Sequence, residues 1–353
     1  IPTSLTTSWP ARRLVRPKTG RRVRLRPRVT APAADRLPLP QSQPPPSPDA
    51  GERVHYKNGA CGPVFVCFYW KPMLWQTTRF TIDLTRPQTM GIVNVTPDSF
   101  SDGGRHGSTA SALRHCEQLL KDGADILDIG GESTRPGSPA VELEEELARV
   151  LPLVRGAVGF GVPISVDTYK PEVMQAVLDL GADIVNDIWA LRQPGSAQVV
   201  ARHPRCGVCL MHMHGDPQTM QAAPMAGDVL QQVLSFLELS AQAMQALGVE
   251  KTRIVVDPGI GFGKTVAQNF TLLARQRELL ALGYPVLAGW SRKSSLGAVT
   301  GLDVDQRLQP SVAAALLAVE RGARIVRVHD VRETVQALAV WRAMESSEAV
   351  GAP

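Results

Sequence analysis

The sequence contains few cysteines and lacks long hydrophobic runs. Only five of its 353 residues are cysteine, and they show no paired spacing along the chain. This usage argues against a disulfide framework and suits free thiols in a reducing compartment. The apolar run at residues 64–70 is far shorter than the roughly 20 residues that cross a bilayer, and no other segment is a better candidate. No membrane partner is therefore expected.

Acidic residues are scarce in the first 72 residues, the leader, and outnumber basic residues in the rest of the chain. Residues 1–72 carry 13 Lys and Arg against 3 Asp and Glu, whereas residues 73–353 carry 25 against 30. The overall charge of +5 thus comes from the leader. Nucleic-acid-binding domains concentrate positive charge, so no nucleic-acid partner is expected for the remainder. Its hydrophobic content is ample for a buried core.

The leader is rich in proline and arginine. Eleven prolines fall in the first 50 residues, which have no apolar periodicity and carry Arg12, Arg13, Arg21, Arg22, Arg24, Arg26 and Arg28. This composition predicts a disordered extension over residues 1–72. It resembles an organelle transit peptide, but its proline density opposes the amphipathic helix of such peptides. Since no methionine precedes Met73, the preferred interpretation is that residues 1–72 are upstream sequence. A cytoplasmic protein is then expected, or one of an organelle matrix if the leader is a genuine transit peptide.

Short apolar runs, separated by helix-length amphipathic segments, recur through the rest of the chain. Eight can be counted, at residues 91–95, 126–130, 164–168, 184–188, 208–213, 254–257, 286–290 and 325–328. Continuous Ile, Val and Leu runs are typical of strands buried on both faces of a parallel sheet. The segments at 123–126, 181–184 and 322–325 share one pattern, a glycine that ends a helix followed by the first residue of a strand. Eight such units favour a (β/α)8 TIM barrel over a doubly wound sheet.

Every predicted strand ends in groups that form hydrogen bonds or carry charge. These are Asn94, residues 132–135, Asp167, Asn186 with Asp187, His212 with His214, Asp257, residues 291–293, and Arg327 with His329 and Asp330. Catalytic groups of a TIM barrel lie at the C-terminal ends of its strands. Packing alone would not place polar residues at all eight ends, so we expect an active site there.

Two motifs imitate sites that the sequence does not favour. Cys206 and Cys209 lie three apart on an extended strand, so their thiolates point to opposite faces and cannot share a tetrahedral ion. Cys209 is instead expected to be a small core residue. The run at 259–265 nearly matches a phosphate-binding loop, but Pro258 stands where the first glycine belongs and lacks the backbone donor. Its glycines are expected to let the backbone approach a flat ligand.

The polar strand ends suggest a substrate with two different ends. Asp167 and Asp257, with Asn186 and Lys293, suit a flat heterocycle that presents amino donors and ring acceptors.

Arg327 and His329 lie two apart on one strand and therefore face the same way. With Lys293 they form an anion-binding wall that suits a phosphorylated end.

The first strand runs into a polar loop with six oxygen-bearing side chains, which are Asn94, Thr96, Asp98, Ser99, Ser101 and Asp102. Pro97 and the glycine pair at 103–104 supply turn residues. A surface turn is one interpretation. The density of polar groups, with Phe100 apolar among them, favours a functional loop.

Eight motifs in order resemble the dihydropteroate synthase family of pterin-binding enzymes over residues 73–343. They are MGIVNVTPDSFSDGG at 90–104, GGESTRPG at 130–137, DTYK at 167–170, NDI at 186–188, LMHM at 210–213, DPGIGFGK at 257–264, SRKS at 291–294 and RVHD at 327–330. The resemblance implies condensation of 6-hydroxymethyl-7,8-dihydropterin diphosphate with 4-aminobenzoate, giving 7,8-dihydropteroate and diphosphate for folate synthesis. It also implies a homodimer through outer barrel helices, and sulfonamide inhibition.

The resemblance also implies a role for each residue that matches a family motif. Pterin binding falls to Asp167, Asn186, Met211, Asp257, Phe262 and Lys293. Diphosphate binding falls to Asn94, Arg327 and His329, with Asn94 acting as the ligand of a Mg2+ cofactor. The 4-aminobenzoate site falls to Phe100, Thr134, Arg135, Pro136, Ser291 and Lys293. The catalytic groups are Asp98, Lys293, Arg327 and His329.

An arylamine is a weak nucleophile, so C–O cleavage is expected to run ahead of attack and to leave a cation delocalised into the pterin. Mg2+, Arg327 and His329 would stabilise the leaving diphosphate. Asp98 could stabilise the cation, and closure of its loop would exclude water.

Two alternatives remain for the folded domain, which is expected over residues 73–345 before a flexible tail at 346–353. One is a pterin-binding methyltransferase barrel, which has no use for the cationic wall of Lys293, Arg327 and His329. The other is a pterin-binding barrel without catalysis. A Mg2+-dependent assay of dihydropteroate formation distinguishes both from a synthase.

Overall fold

The computed structural model describes residues 73–95, 104–133, 137–220 and 222–351, without the side chains of 104–108 and 348–351. The extension predicted over residues 1–72 lies outside these ranges.

A short antiparallel hairpin precedes the barrel and was not predicted. Its strands, β1 (Leu74–Gln76) and β2 (Thr81–Asp83), pair with Trp75 opposite Ile82. Each strand has only three residues, which is too short for a periodic signal. Trp75 is fully buried, and its Nε1 donates to the backbone carbonyl of Arg253 at 3.0 Å.

Eight parallel strands form the closed barrel that the sequence predicts. They are β3 (Gln88–Asn94), β4 (Ile126–Gly130), β5 (Ile164–Asp167), β6 (Ile184–Asp187), β7 (Gly207–Met211), β8 (Ile254–Asp257), β9 (Val286–Ala288) and β10 (Ala323–Val328). Each strand pairs with the next in chain order, and β10 pairs with β3 to close the ring. The (β/α)8 prediction is therefore confirmed.

The predicted and observed C-terminal limits of the strands differ most at β7 and β9, and β3 begins at Gln88, three residues before the predicted start. The run predicted to 213 ends at Met211, and the run predicted to 290 ends at Ala288. In both places apolar residues continue after the chain has left the sheet, so composition does not mark the end. Trp290, for example, packs on Phe270 with ring centroids 5.4 Å apart.

The described helices surround the barrel. They are α1 (Gly104–Lys121), α2 (Leu143–Ala157), α3 (Pro171–Asp179), α4 (Ser196–Arg202), α5 (Val229–Ala246), α6 (Val266–Ala274), α7 (Ser294–Thr300), α8 (Leu308–Glu320) and α9 (Val331–Gly351). Local signals fix several starts: Pro171 opens α3, where no backbone donor is needed, and Thr265 forms a capping box with Gln268 at α6. None of these described helices combines the length and apolar composition that a bilayer span requires.

The last helix is longer than expected. The sequence predicts a flexible tail at 346–353, whereas α9 continues to Gly351. Ser346 and Ser347 donate their hydroxyls to the carbonyls of Arg342 and Ala343 one turn earlier. These bonds satisfy the serine hydroxyls inside the helix.

The interior of the barrel is filled at its N-terminal end by one apolar cluster. Seven strands contribute Met90, Ile126, Ile184, Cys209, Val255, Leu287 and Ile325, and the hairpin segment adds Trp75, Ile82 and Leu84. Cys209 is a buried core residue, as predicted, while Cys206 belongs to a different cluster between sheet and helices. Among the described residues, apolar side chains therefore occupy this end of the barrel interior.

Candidate active site at the C-terminal end of the barrel

One cavity of about 350 Å³ opens at the C-terminal ends of the strands. Ten of the site residues predicted from the sequence line it: Asn94, Asp167, Asn186, Met211, Asp257, Phe262, Ser291, Lys293, Arg327 and His329. Strand register brings several of them side by side, since Asp167 is paired with Asn186 and Met211 with Asp257. The predicted residues therefore share a single site.

The remaining predicted site residues, Asp98, Phe100, Thr134, Arg135 and Pro136, lie outside the described residues. So do Thr96, Ser99, Ser101 and Asp102 of the first loop. Their assigned roles stay predictions.

A cationic side chain joins two carboxylates at the cavity. Arg327 donates from Nε to Asp128 at 2.6 Å and from Nη2 to Asp167 at 2.7 Å. Burial opposes the charge of Arg327, but the two carboxylates outweigh it and raise its pKa above the usual value. Arg327 is thus held in a fixed orientation before any substrate arrives.

Asp128 is a site residue that the motif analysis missed. It is fully buried in the middle of β4, accepts from Arg327, and lies 3.3 Å from Nδ2 of Asn186. One signal was available, because a carboxylate inside the apolar run at 126–130 must be paired if the run is buried. Asp128 faces the barrel interior, and its partner on β10 is 199 residues away in sequence.

Asp167 offers an unused acceptor. Within the described residues its Oδ1 has no hydrogen-bond partner, although the atom is buried. Burial raises the pKa of Asp167, and the Arg327 guanidinium opposes that rise. A buried acceptor without a partner costs free energy, which a donor on a ligand would recover.

Asp257 and Lys293 form a second charged region of the cavity. Oδ1 of Asp257 accepts from the backbone N–H of Gly259 at 2.7 Å, and burial raises the pKa of this carboxyl. Nζ of Lys293 lies 4.2 Å from the ring centroid of Phe262. Burial lowers the pKa of Lys293 to about 8, although Asp257 opposes that shift. The lysine can therefore change protonation state near neutral pH.

Ser291 links β9 to the end of β10. Its hydroxyl lies 3.0 Å from Nδ1 of His329 and accepts from the His329 backbone N–H at 3.1 Å. The next residue, Arg292, has a left-handed backbone with φ of +58° and donates from Nη2 to Asp330 at 2.6 Å. Strain of this kind persists only where surrounding contacts hold it. The ion pair thus anchors the turn that carries Ser291 and Lys293.

The apolar part of the site comes from buried residues after β6, β7 and β8. These are Ile188, Met211, Met213, Met220 and Phe262, with Tyr169 and Trp189 packed against them. The resemblance assigns Met211 to pterin binding, and His212 is one of the polar residues at the end of the predicted strand. Met211 lines the cavity, whereas the His212 ring packs edge-on against Phe236 outside it.

Several polar strand ends serve loop structure instead of the cavity. Asp187 accepts from the backbone N–H groups of Trp189 and Leu191 and holds a turn in which Leu191 has positive φ. Lys170 bridges Glu132 and Glu146, with each Nζ–O distance 2.5 Å. This bridge fixes Glu132 immediately before the predicted aminobenzoate loop.

The glycines of the loop after β8 allow close approach of backbone to backbone. A Cβ at Gly259 would lie 1.9 Å from the carbonyl oxygen of His212, and one at Gly263 would lie 2.2 Å from that of His214. The sequence predicts that these glycines approach a flat ligand. At these two positions they accommodate the neighbouring loop instead.

The geometry defines an enzyme site of the TIM-barrel type, with carboxylates, an amide and cations around one cavity lined partly by methionine and phenylalanine. A family model described as "Pterin binding enzyme" matches residues 90–329. The chain belongs to the pterin-binding enzyme family and, within it, to the dihydropteroate synthases, which are transferases of folate biosynthesis.

Individual relatives support this placement. The dihydropteroate synthase of Neisseria meningitidis serogroup C is 52% identical over 275 residues, 77% of this chain and 97% of that protein. The Escherichia coli K12 enzyme is 48% identical over 270 residues, 76% of this chain and 95% of that protein.

Solved structures agree in fold. The Burkholderia cenocepacia dihydropteroate synthase complexed with 7,8-dihydropteroate is 50% identical with a TM-score of 0.72, covering 79% of this chain and 98% of that one. The Xanthomonas albilineans enzyme with 4-aminobenzoic acid is 48% identical with a TM-score of 0.74, covering 80% and 100%.

Proposed function

We propose that this enzyme condenses 6-hydroxymethyl-7,8-dihydropterin diphosphate with 4-aminobenzoate by a dissociative substitution that Mg2+ assists. The observation that carries this assignment is the single cavity shared by Asp167, Asp257, Lys293 and Arg327. The product and the aminobenzoate found in the Burkholderia and Xanthomonas relatives support the choice of substrates.

The carboxylates and amide suit the pterin ring. Asp257 and the unpartnered Oδ1 of Asp167 are acceptors for amino and ring N–H groups, and Asn186 can both donate and accept. Met211 and Phe262 provide apolar contact area for the flat ring. A methyltransferase barrel would share this half of the site.

The cations suit the diphosphate. Arg327, His329 and Lys293 line the same cavity as the carboxylates, so one substrate can contact both groups. Charged donors that are fixed beforehand stabilise developing negative charge without reorganisation during the reaction. This half of the site favours a synthase over a methyltransferase.

The donor set available for a metal fits Mg2+ that enters with substrate. Asn94 offers an amide oxygen, and in the described ranges no cluster of three His, Cys, Asp or Glu side chains could hold an ion unaided. Mg2+ commonly takes one or two protein oxygens, retains waters and binds substrate phosphates. When bound, it would neutralise charge on the leaving diphosphate.

In the proposed reaction the C–O bond between the pterin methylene carbon and the diphosphate breaks, and its electron pair leaves with the oxygen. The arylamine nitrogen then donates its lone pair to that carbon and loses a proton, which the released diphosphate can accept. The enzyme supplies no covalent nucleophile. Arg327 and His329 hold the leaving group, while Asp98 on its loop stabilises the cation. Loop closure keeps water away from it.

The 4-aminobenzoate site would use Ser291 and Lys293, together with Phe100, Thr134, Arg135 and Pro136 of the two loops. A Yersinia pestis relative, 44% identical, has been solved with a sulfonamide drug. Sulfonamides are therefore expected to inhibit this enzyme in competition with 4-aminobenzoate.

The decisive experiment measures dihydropteroate formation from the two substrates with and without Mg2+. Product formation that chelation abolishes and Mg2+ restores supports the assignment. Pterin binding without turnover would favour a pterin-binding barrel without catalysis. Methyl transfer would favour a pterin-binding methyltransferase barrel.

The order of bond cleavage needs its own test. The substrate is labelled with oxygen-18 at the oxygen that joins the pterin methylene carbon to phosphorus. When 4-aminobenzoate is omitted, reversible cleavage of the C–O bond moves the label into the other oxygens of that phosphate. Retention of the label in unreacted substrate, from an enzyme that forms dihydropteroate once 4-aminobenzoate is added, would argue against cleavage ahead of attack.

The enzyme is also proposed to be a cytoplasmic homodimer that associates through outer helices. Leu317 on α8 and Val340 and Met344 on α9 are exposed apolar residues that such an interface would cover. Sedimentation equilibrium of the purified chain distinguishes a dimer from a monomer.

A further inference from the structure

Lys264 is a buried lysine whose contacts all go to uncharged groups. It is 2% exposed, and its Nζ lies 2.8 Å from the Gly259 carbonyl oxygen and 3.1 Å from that of Phe262. It also lies 2.9 Å from Nδ1 of His212 and 3.3 Å from the His212 carbonyl oxygen. Burial, reinforced by the Lys264 charge, lowers the pKa of His212 to about 3, so the ring is neutral.

These partners belong to two separate loops. His212 follows β7, whereas Gly259 and Phe262 lie in the loop after β8. The three N–H donors of an ammonium match the two carbonyls of the β8 loop and the histidine nitrogen of the β7 loop. Burial lowers the pKa of Lys264 to about 7, although the charge of Asp257 opposes that shift. Burying an amino group that contacts no anion directly is expensive. A chain that needed only to fill this space could do so with an apolar side chain.

Both loops carry walls of the cavity. Met211 lies immediately before His212. Ile260 and Gly261 lie between the two β8-loop carbonyls that Lys264 contacts, those of Gly259 and Phe262, and all three residues at 260–262 line the cavity. The Phe262 ring in turn lies under the Lys293 ammonium, with 4.2 Å between nitrogen and ring centroid. A shift of the β8 loop would therefore move several pterin contacts together.

Resting on the function proposed above, we propose that Lys264 is a positioning residue for the pterin substrate. Its Nζ ties the β7 loop to the β8 loop and fixes residues 260–262 in the orientation that pterin binding requires. Lys264 itself is not expected to contact substrate.

Arg253 provides a matched control at the other end of the same strand. It is 3% exposed and donates to the carbonyls of Cys206 at 2.8 Å and Val200 at 2.9 Å. Like Lys264 it is a buried cation bound by backbone carbonyls, but it precedes β8 and lies away from the cavity. Loss of either cation should lower the melting temperature.

The test compares Lys264→Met with Arg253→Met. For Lys264→Met, the KM for the pterin diphosphate and the Kd for 6-hydroxymethylpterin, measured by calorimetry, should rise about 10- to 100-fold, as expected when a binding group is misplaced. The KM for 4-aminobenzoate should rise by a smaller factor, because its predicted site shares Lys293 with the pterin contacts but does not include residues 260–262. Arg253→Met should leave all three constants unchanged. Lys264→Gln, which keeps an amide donor, should give an intermediate pterin KM.

An unchanged pterin KM in folded Lys264→Met, or equal changes for both substrates, would overturn the assignment. If neither Lys264 variant folds, the residue serves overall stability and the assignment is withdrawn. Absence of dihydropteroate formation by the unaltered enzyme would instead refute the proposed function, while the calorimetric comparison would still test Lys264.

Discussion

Nη2 of Arg327 lies 2.7 Å from Oδ2 of Asp167, so two residues assigned to opposite ends of the substrate are directly bonded. The sequence suggested separate anionic and cationic walls. In the structure the two walls meet at this ion pair, and Asp128 extends it on the other side of Arg327. A change at one member therefore alters the charge that the other presents to substrate.

Arg327→Ala is expected to reduce turnover about 10²- to 10³-fold, because one fixed donor to the leaving group is lost. Steady-state kinetics gives the magnitude, and circular dichroism checks that the barrel remains folded. Some loss of stability is also expected, since Asp128 and Asp167 lose their buried partner.

The matched control is Arg332→Ala. Arg332 also donates twice to a carboxylate, that of Asp122, but it is exposed at the start of α9. The Arg332→Ala variant should have the turnover rate of the unaltered enzyme. Near-normal turnover by Arg327→Ala as well would remove Arg327 from its assigned role.

Asp167→Asn is expected to weaken pterin binding while retaining the size of the side chain. The amide cannot offer two anionic oxygens to Arg327 and to substrate at once. Asp183→Asn is the control, since Asp183 is buried and paired with Arg79 away from the cavity. Calorimetric titration with 6-hydroxymethylpterin should show weaker binding only for Asp167→Asn. Equal affinities in the two variants would contradict a pterin contact by Asp167.

The pH dependence of kcat/KM should show a fall in activity near the pKa of Lys293, which burial lowers to about 8. Deprotonation above that pH removes a cation from the site. Lys293→Arg keeps its charge, so its profile should lack this fall whatever its absolute rate. A profile of unchanged shape in Lys293→Arg would assign the titration to another group.

The same shift has a consequence for stability. Since the folded-state pKa of Lys293 lies below 10.5, the ordinary value for lysine, the unfolded chain binds the proton more tightly than the folded enzyme does. The contribution of this group to the free energy of unfolding should therefore rise between about pH 8 and 10.5. Denaturant titrations of the enzyme and of Lys293→Met across that range would measure it.

A chain that begins at Met73 should retain activity and melting temperature. It keeps Trp75, which is fully buried in the cluster that fills the N-terminal end of the barrel. The control is a chain that begins after β2, which loses that tryptophan and should be markedly less stable. A large loss of activity or stability in the first chain would show that residues 1–72 contribute to the fold.

Much of the site could be predicted because parallel strands place their C-terminal ends at one rim. Asp167, Asn186, Asp257 and Arg327 each follow or end a recognisable apolar run, so barrel topology alone brings them together. Asp128 was missed because it lies within a run and not at its end, and the need to pair a buried carboxylate does not say which residue is the partner. Asp187 showed the opposite error, since it ends a strand yet satisfies backbone donors of its own loop.

The sequence by itself determined the eight strand positions, the direction of the chain and the rim at which polar groups collect, because these depend on local periodicity and order along the chain. Tertiary structure alone decided which groups bond to one another. Arg327 meets Asp128 and Asp167 across the barrel interior, at sequence separations of 199 and 160 residues. Such contacts depend on strand register and on which side chains face inward, and no local pattern specifies either across so long a separation.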